Sequence, residues 1–131
     1  MPSLQLDVPA TYDSATKRLL AKRFGSVYAA VMQTRPDIVT VSIHDMGEGA
    51  VWRCGEDDPR PHALLICHVR QGRSADTRAE LARQLIGACQ EVLGWDPHRI
   101  KVEFTQHSGD EMYHPHLDGF NRDWLGDEST H

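Results

Sequence analysis

Pro2, Arg70 and Arg73 have the types and the placement to do acid–base chemistry on a small anion. A start methionine followed by a small residue is commonly trimmed. Loss of Met1 would make the ring nitrogen of Pro2 a free secondary amine, able to act as base or nucleophile. The stretch Met1-Pro2-Ser3-Leu4-Gln5-Leu6-Asp7-Val8 alternates apolar and polar side chains, the period of two of a half-buried strand. A strand would hold the amine in place, unlike the frayed start of most chains. The alternative is that Pro2 only opens the strand, where its missing N–H costs nothing.

The arginines lie in Val69-Arg70-Gln71-Gly72-Arg73-Ser74, between an apolar run and a helical pattern. Gly72 allows a tight strand-to-helix turn, and the N–H groups opening the helix add positive potential. Taken alone, the two arginines also fit a helix-entry turn with solvated cations. Beside the Pro2 amine they would disfavour its protonated form, as would partial burial. The amine would then titrate below the ordinary α-amino range of about 7.7–8.0 and serve as a general base near neutrality. The same guanidinium forks suit a substrate carboxylate. The local positive potential would favour a developing enolate oxygen.

The elements that must position these groups are written twice. Leu4, Leu6 and Val8 mark a strand. Asp13 or Ser14 can cap a helix with Leu20, Phe24, Val27 and Val31 on one stripe, ended by Pro36. Val39, Val41 and Ile43 then alternate with Thr40, Ser42 and His44 as a second strand. About 60 residues later, Ala63 to Val69 is a nearly continuous apolar run that predicts a strand buried on both faces. A helix follows with Leu81, Leu85, Cys89 and Val92 on one side. Pro97 matches Pro36, and Ile100, Val102 and Phe104 alternate along a last strand. Gly47 to Pro61 predicts a loop or short hairpin.

Each half is a βαβ unit with parallel strands and a right-handed crossover. The expected fold is α+β: tandem units over about 2–46 and 62–108 make a four-stranded mixed sheet with two helices on one face. A tail over 109–131 completes one domain spanning 1–131, with Phe120 and Trp124 pinning the tail to the body or to a neighbour. If the first strands of the two halves run antiparallel at the centre, Pro2 faces Arg70 and Arg73. The other sheet face is left bare in one chain, so an oligomer or a wet polar surface is expected.

Composition narrows the partners. The 131 residues carry a formal net charge of -5 and a pI near 5.8, which argues against nucleic acid. No apolar run reaches membrane-spanning length and no signal segment precedes Pro2, so no membrane partner and a cytoplasmic location are expected. Cys54, Cys67 and Cys89 form no metal-type pair and fit a reduced compartment.

With these residues in view, the chain resembles the tautomerase superfamily, and in particular fused relatives of 4-oxalocrotonate tautomerase. The marks are Met1-Pro2, Gly72-Arg73-Ser74 and Asp45-Met46-Gly47-Glu48-Gly49, within roughly residues 2 to 108. Arg70-Gln71-Gly72-Arg73-Ser74-Ala75-Asp76 is also similar to the two-arginine segment of cis-3-chloroacrylic acid dehalogenase, where both arginines hold the substrate carboxylate. The resemblance implies a tautomerase or MIF-like fold, a homotrimer, Pro2 as base or acid, and neither metal nor organic cofactor. It implies substrates such as 2-hydroxy-dienoates, 2-oxo acids including phenylpyruvate, and 3-haloacrylates.

Some positions depart from the family pattern. Asp13 stands at the place matched to Arg73 in the first half. The arginine that small tautomerases carry on their second strand is Thr40 in one half and Lys101 in the other. Lys101 remains a cation able to neutralise substrate, without the planar fork. The dehalogenase's water-activating positions hold Tyr28, Glu103 and His114, and Glu103 near Pro2 would raise the amine's pKa. Trp52 stands where the family builds the apolar wall of the pocket, or else packs or contacts a partner. The expectation is thus a cofactor-free isomerase: Pro2, Arg70 and Arg73 are catalytic, and Lys101, Trp52, Tyr28, Glu103 and His114 line the substrate site. The alternatives are hydration, decarboxylation or dehalogenation on the same scaffold, or a non-catalytic trimeric binding protein.

Other polar residues are assigned more modestly. His44 is as readily a cap or surface residue as a catalytic one, Asp37 resembles in position an aspartate used by malonate semialdehyde decarboxylase but reads first as a turn residue, and Cys67 is core. His107, His114 and His116 have no good metal-ligand spacing, so no metal is expected.

Overall fold

The computed structural model describes residues 1–115 and 119–120. Its elements run β1 (Ser3–Val8), α1 (Ser14–Met32), β2 (Thr40–Asp45), β3 (Trp52–Arg53), β4 (Arg60–Pro61), β5 (Ala63–Arg70), α2 (Ala75–Leu93), β6 (Ile100–His107), β7 (Tyr113–His114) and β8 (Gly119–Phe120). Four strands form one mixed sheet in the order β2-β1-β5-β6. β1 and β2 are parallel, as are β5 and β6, while β1 and β5 run antiparallel at the centre. This is the doubled βαβ arrangement that the sequence pattern predicts.

Alternation decides which side chains form the core. Leu4, Leu6 and Val8 of β1 and Leu65, Cys67 and Val69 of β5 are buried against Leu20, Phe24 and Met32 of α1 and Leu81, Leu85 and Cys89 of α2. Burying each large side chain contributes roughly 1.5–3 kcal/mol, enough in sum to hold both helices on one face. β5 differs from the expectation of burial on both faces: its burial alternates strictly, and Leu64, Ile66, His68 and Arg70 are only half-buried. Among the described residues neither helix packs on that face, and its apolar side chains stay partly exposed.

The helices are capped alike but with different residues. The Asp13 carboxylate accepts the Thr16 N–H at 2.7 Å, and the Ser74 hydroxyl accepts the Thr77 N–H at 3.1 Å. Asp13 and Ser74 are therefore structural equivalents. The alignment of Asp13 with Arg73 is corrected by one residue: the counterpart of Arg73 in the first half is Tyr12. The same interval relates Pro36 to Pro97, and the α1 stripe Leu20, Phe24 to Leu81, Leu85.

Gly47 to Pro61 contains the short hairpin β3–β4, with Trp52 opposite Pro61. Asp37 lies in a single 3-10 turn over Pro36–Ile38, where it pairs with Arg35 at 3.3 Å. Beyond β6, a turn at Gly109–Glu111 leads into β7, and Phe120 on β8 packs edge-on against Tyr113 at 5.5 Å. His116 and Trp124 lie outside the described residues. Among the described residues no helix is long and apolar enough to cross a membrane.

Candidate active site

The antiparallel centre sets the geometry of the site. Ser3 pairs with His68, which brings the start of β1 to the end of β5. Pro2 is buried there, and its carbonyl accepts the Thr40 N–H at 3.2 Å, fixing the chain just ahead of β1. The terminal amine, here on Met1, is half-buried and donates to the Met112 sulfur at 3.1 Å. Burial first, and the Arg70 guanidinium second, hold that amine below its ordinary value. An amine at this end of β1 therefore meets the environment that a neutral base requires.

Arg70 ends β5 and Arg73 precedes α2, with Gly72 between them at φ 112. That left-handed backbone suits glycine and permits the short reversal that turns both arginines toward one end of the sheet. Tyr28 of α1 meets them from below. It is 5% exposed, and burial pushes its phenol up to about 12 against the opposing pull of Arg73 and Arg70. The Tyr28 hydroxyl thus stays protonated at neutral pH and keeps a proton to donate. Burial likewise draws the Arg70 guanidinium below its ordinary value, with Tyr28 opposing and Arg73 adding to the shift.

The tail supplies a further contact. Met112 lies against the terminal amine, and His114, two residues on, is buried. Met112 has no counterpart in the sequence pattern, because the tail carries no periodicity to place it. A polar chain continues across the bare sheet face. His68 Nδ1 lies 2.7 Å from Thr105 Oγ1, which is 3.0 Å from His107 Nε2, and His107 Nδ1 is 3.4 Å from Glu111. Strand alternation on β6 puts Thr105 and His107 on one face and could have exposed this chain. His44 forms a similar link between Asp7 at 2.9 Å and Ser42 at 3.0 Å.

The terminal amine lies near Arg70, and Tyr28 near Arg70 and Arg73, at one end of the sheet, while His114 is buried in the tail. Lys101, Glu103 and Trp52 do not join them within one chain. Lys101 pairs across from Leu64, six residues before Arg70 on β5 and so about 20 Å away along the strand. Its ammonium lies 3.4 Å from the Glu103 carboxylate. Glu103 therefore faces Lys101 rather than the terminal amine of its own chain. Trp52 is about half exposed on the β3–β4 hairpin, its indole N–H donating to the Gly49 carbonyl at 2.8 Å. Among the described residues no group of three His, Cys, Asp or Glu side chains could hold a metal ion.

No protein-family model matches the chain, and no curated protein does. Solved structures do. Macrophage migration inhibitory factor of Toxoplasma gondii superposes with a TM-score of 0.75 at 21% identity, over 91% of this chain and 99% of that one. A member of the cis-3-chloroacrylic acid dehalogenase family gives 0.75 at 21% identity, over 86% and 80% of the two chains. A wild-type fused 4-OT, a symmetric trimer, gives 0.78 at 19% identity, over 92% and 95%. The chain has the fold of the tautomerase superfamily.

Proposed function

We propose that the protein is a cofactor-independent isomerase of the tautomerase superfamily, acting on a 2-oxo or 2-hydroxy-dienoate carboxylate. The observation that carries this reading is the convergence of a half-buried terminal amine with Arg70, Arg73 and the neutral phenol of Tyr28. Removal of Met1 transfers the free amine to Pro2. Arg73 and Arg70 hold the substrate carboxylate through charge-assisted forks. The Pro2 nitrogen takes the enol O–H proton, and the resulting ammonium returns a proton to C3, giving the ketone and restoring the base. The Tyr28 hydroxyl is suited to donate to the oxygen on which charge develops.

The bare sheet face, with half-exposed Leu64 and Ile66, supports assembly into a homotrimer like that of the fused 4-OT. In such an assembly Lys101, Trp52 and Glu103 face neighbouring chains and line their substrate sites. The acidic net charge and the lack of a membrane-spanning helix among the described residues support a cytoplasmic protein with small-molecule partners only. Hydration, decarboxylation or dehalogenation of a small unsaturated acid would use the same base and clamp.

A mechanism-based label tests the base. One of the matched structures is of a protein inactivated by 2-oxo-3-pentynoate, at a TM-score of 0.77 and 16% identity. Trimmed protein treated with this acetylenic acid at neutral pH should gain one adduct per chain, on the peptide that begins at Pro2. Protein that keeps Met1 should gain none there. A Pro2 amine that stays unmodified in the trimmed chain would overturn the base and leave the non-catalytic binding protein as the reading.

A further inference from the structure

The proposed isomerase chemistry uses the start of β1 and leaves the polar side chains farther along β1 and β2 without a role. Parallel pairing sets Gln5 beside Ser42 and Asp7 beside His44, and strand alternation puts these residues on the face away from the helices. The His44 ring is held at both nitrogens. Nδ1 lies 2.9 Å from the Asp7 carboxylate, and Nε2 lies 3.0 Å from Ser42 Oγ. A carboxylate only accepts, so the neutral ring carries its proton on Nδ1 and leaves Nε2 to accept the Ser42 O–H. That is the connectivity of a nucleophile, a base and an orienting carboxylate. The Asp7 side chain is 22% exposed and that of His44 50%, so the carboxylate is largely shielded while the imidazole is open to a ligand.

We propose that Ser42, His44 and Asp7 form a second reactive site, which transfers small acyl groups from activated esters to water. Ser42 Oγ bonds to the ester carbonyl carbon as His44 Nε2 takes the hydroxyl proton. The carbon–oxygen bond to the leaving group then breaks, and the imidazolium proton goes to the departing oxygen. Water adds to the acyl-Ser42 ester with Nε2 again taking the proton, the bond to Oγ breaks, and Oγ regains a proton as the carboxylic acid leaves. The Gln5 carboxamide, beside Ser42 across the strand pair, is suited to donate to the oxygen on which charge develops. Asp7 acts as a positioning residue that fixes the ring tautomer. The apolar side chains of this face, Leu64 and Ile66, are on β5, two strands from Ser42 and His44, so an apolar contact there need not cover the site. A comparable link on β6 joins Thr105, His107 and Glu111. There the hydroxyl is secondary and is also held by His68 at 2.7 Å, so Ser42 is the better nucleophile.

The inference does not rest on the chemistry of Pro2. It is tested in protein extended by one residue ahead of Pro2, where no secondary amine can be acylated. The protein is treated with p-nitrophenyl acetate, release of p-nitrophenolate is followed, and acid-quenched samples are mapped by peptide mass. An acetyl group on Ser42 is expected, with none on Thr105. Ser42→Ala should remove that acetyl group, and Ser42→Ala and His44→Gln should each lower protein-dependent release about a hundredfold, within the range for loss of a general base and its nucleophile. Asp7→Asn should cost about tenfold and move the His44 proton from Nδ1 to Nε2, read from the ring nitrogen chemical shifts, a change that loosened packing alone would not produce. The site is overturned if acetyl groups appear only on lysines or on His44 itself, if Ser42→Ala releases p-nitrophenolate as fast as the parent, or if the parent ring carries its proton on Nε2. Should a variant fail to fold, the acetylated residue and the ring tautomer of the parent decide, because both are read on unaltered side chains.

Discussion

The two ends of the central strand pair share a frame and differ in equipment. β1 and β5 are each followed by a 19-residue helix, and both helices end in a left-handed cap, at Gln33 and at Gly94. At the start of β5, the Ala63 nitrogen is an amide bound to the Arg99 carbonyl. At the start of β1 stands Pro2, the proposed base, and the antiparallel pairing brings the end of β5, with Arg70 and then Arg73, to that side. In the other half, Tyr12 occupies the place of Arg73. The backbone duplication supplies two equivalent strand starts, and the proposed base and clamp belong to only one of them.

Blocking the amine breaks the comparison most sharply, because it makes the first end resemble the second. Adding one residue ahead of Pro2 should lower enol-to-keto conversion of phenylpyruvate by about a thousandfold, within the range for loss of a general base. Circular dichroism should not change. In the trimmed protein the rate should rise with pH and level off. The inflection should fall below that of an ordinary secondary amine, since burial and Arg70 both disfavour the charged form. Equal rates in the blocked and trimmed proteins would remove the difference between the two ends.

The clamp comes next. Arg73→Ala should cost about two orders of magnitude in kcat/KM, the loss of a charge-assisted contact that strengthens in the transition state. Arg73→Lys should recover only part, since a point charge lacks the fork. The pseudo-equivalent change Tyr12→Ala should leave the rate within about twofold, unless it loosens the Tyr12 N–H bond to Asp45 at 3.1 Å. A smaller effect is expected at Tyr28. Tyr28→Phe removes one donor and should cost about tenfold. Because the phenol titrates near 12, the wild-type rate should show no second inflection between pH 8 and 10.

Much of this frame is legible in the sequence. Alternation at Leu4-Gln5-Leu6-Asp7-Val8 and the apolar run after Ala63 give the two central strands, and the repeated Pro36 and Pro97 give the doubling. Proximity of Pro2 to Arg70 follows once the central strands are taken as antiparallel. Three things are not legible. The register of the repeat slips by one when capping residues differ in type, which hides the match of Asp13 to Ser74. The terminal contact to Met112 lies in a segment without periodicity. The placement of Trp52 depends on how a 2-residue-strand hairpin folds back, and no local pattern specifies that. Lys101 and Glu103 sit on the bare face together because residues two apart on a strand share a side, so their pairing could have been read from alternation alone.

The smallest expected difference between the halves lies in their helix caps. Asp13 is held below its ordinary pKa by the side-chain and backbone hydrogen bonds with Thr16. A carboxyl whose folded pKa is depressed contributes stability above its unfolded pKa and loses it as pH falls through the folded one. The Ser74 cap has no titrating group. Acidification from pH 6 to pH 2.5 should therefore lower the hydrogen-exchange protection of the Thr16 amide more than that of Thr77, after correction for intrinsic rates. Asp76 also lies in the first turn of α2, near the helix N-terminus, so the comparison is made in Asp76→Asn protein. Asp13→Ser should abolish the difference, because it gives both halves the same pH-independent cap. Protection that falls equally at Thr16 and Thr77 would show that the two helices open as one unit, and that the caps do not distinguish the halves.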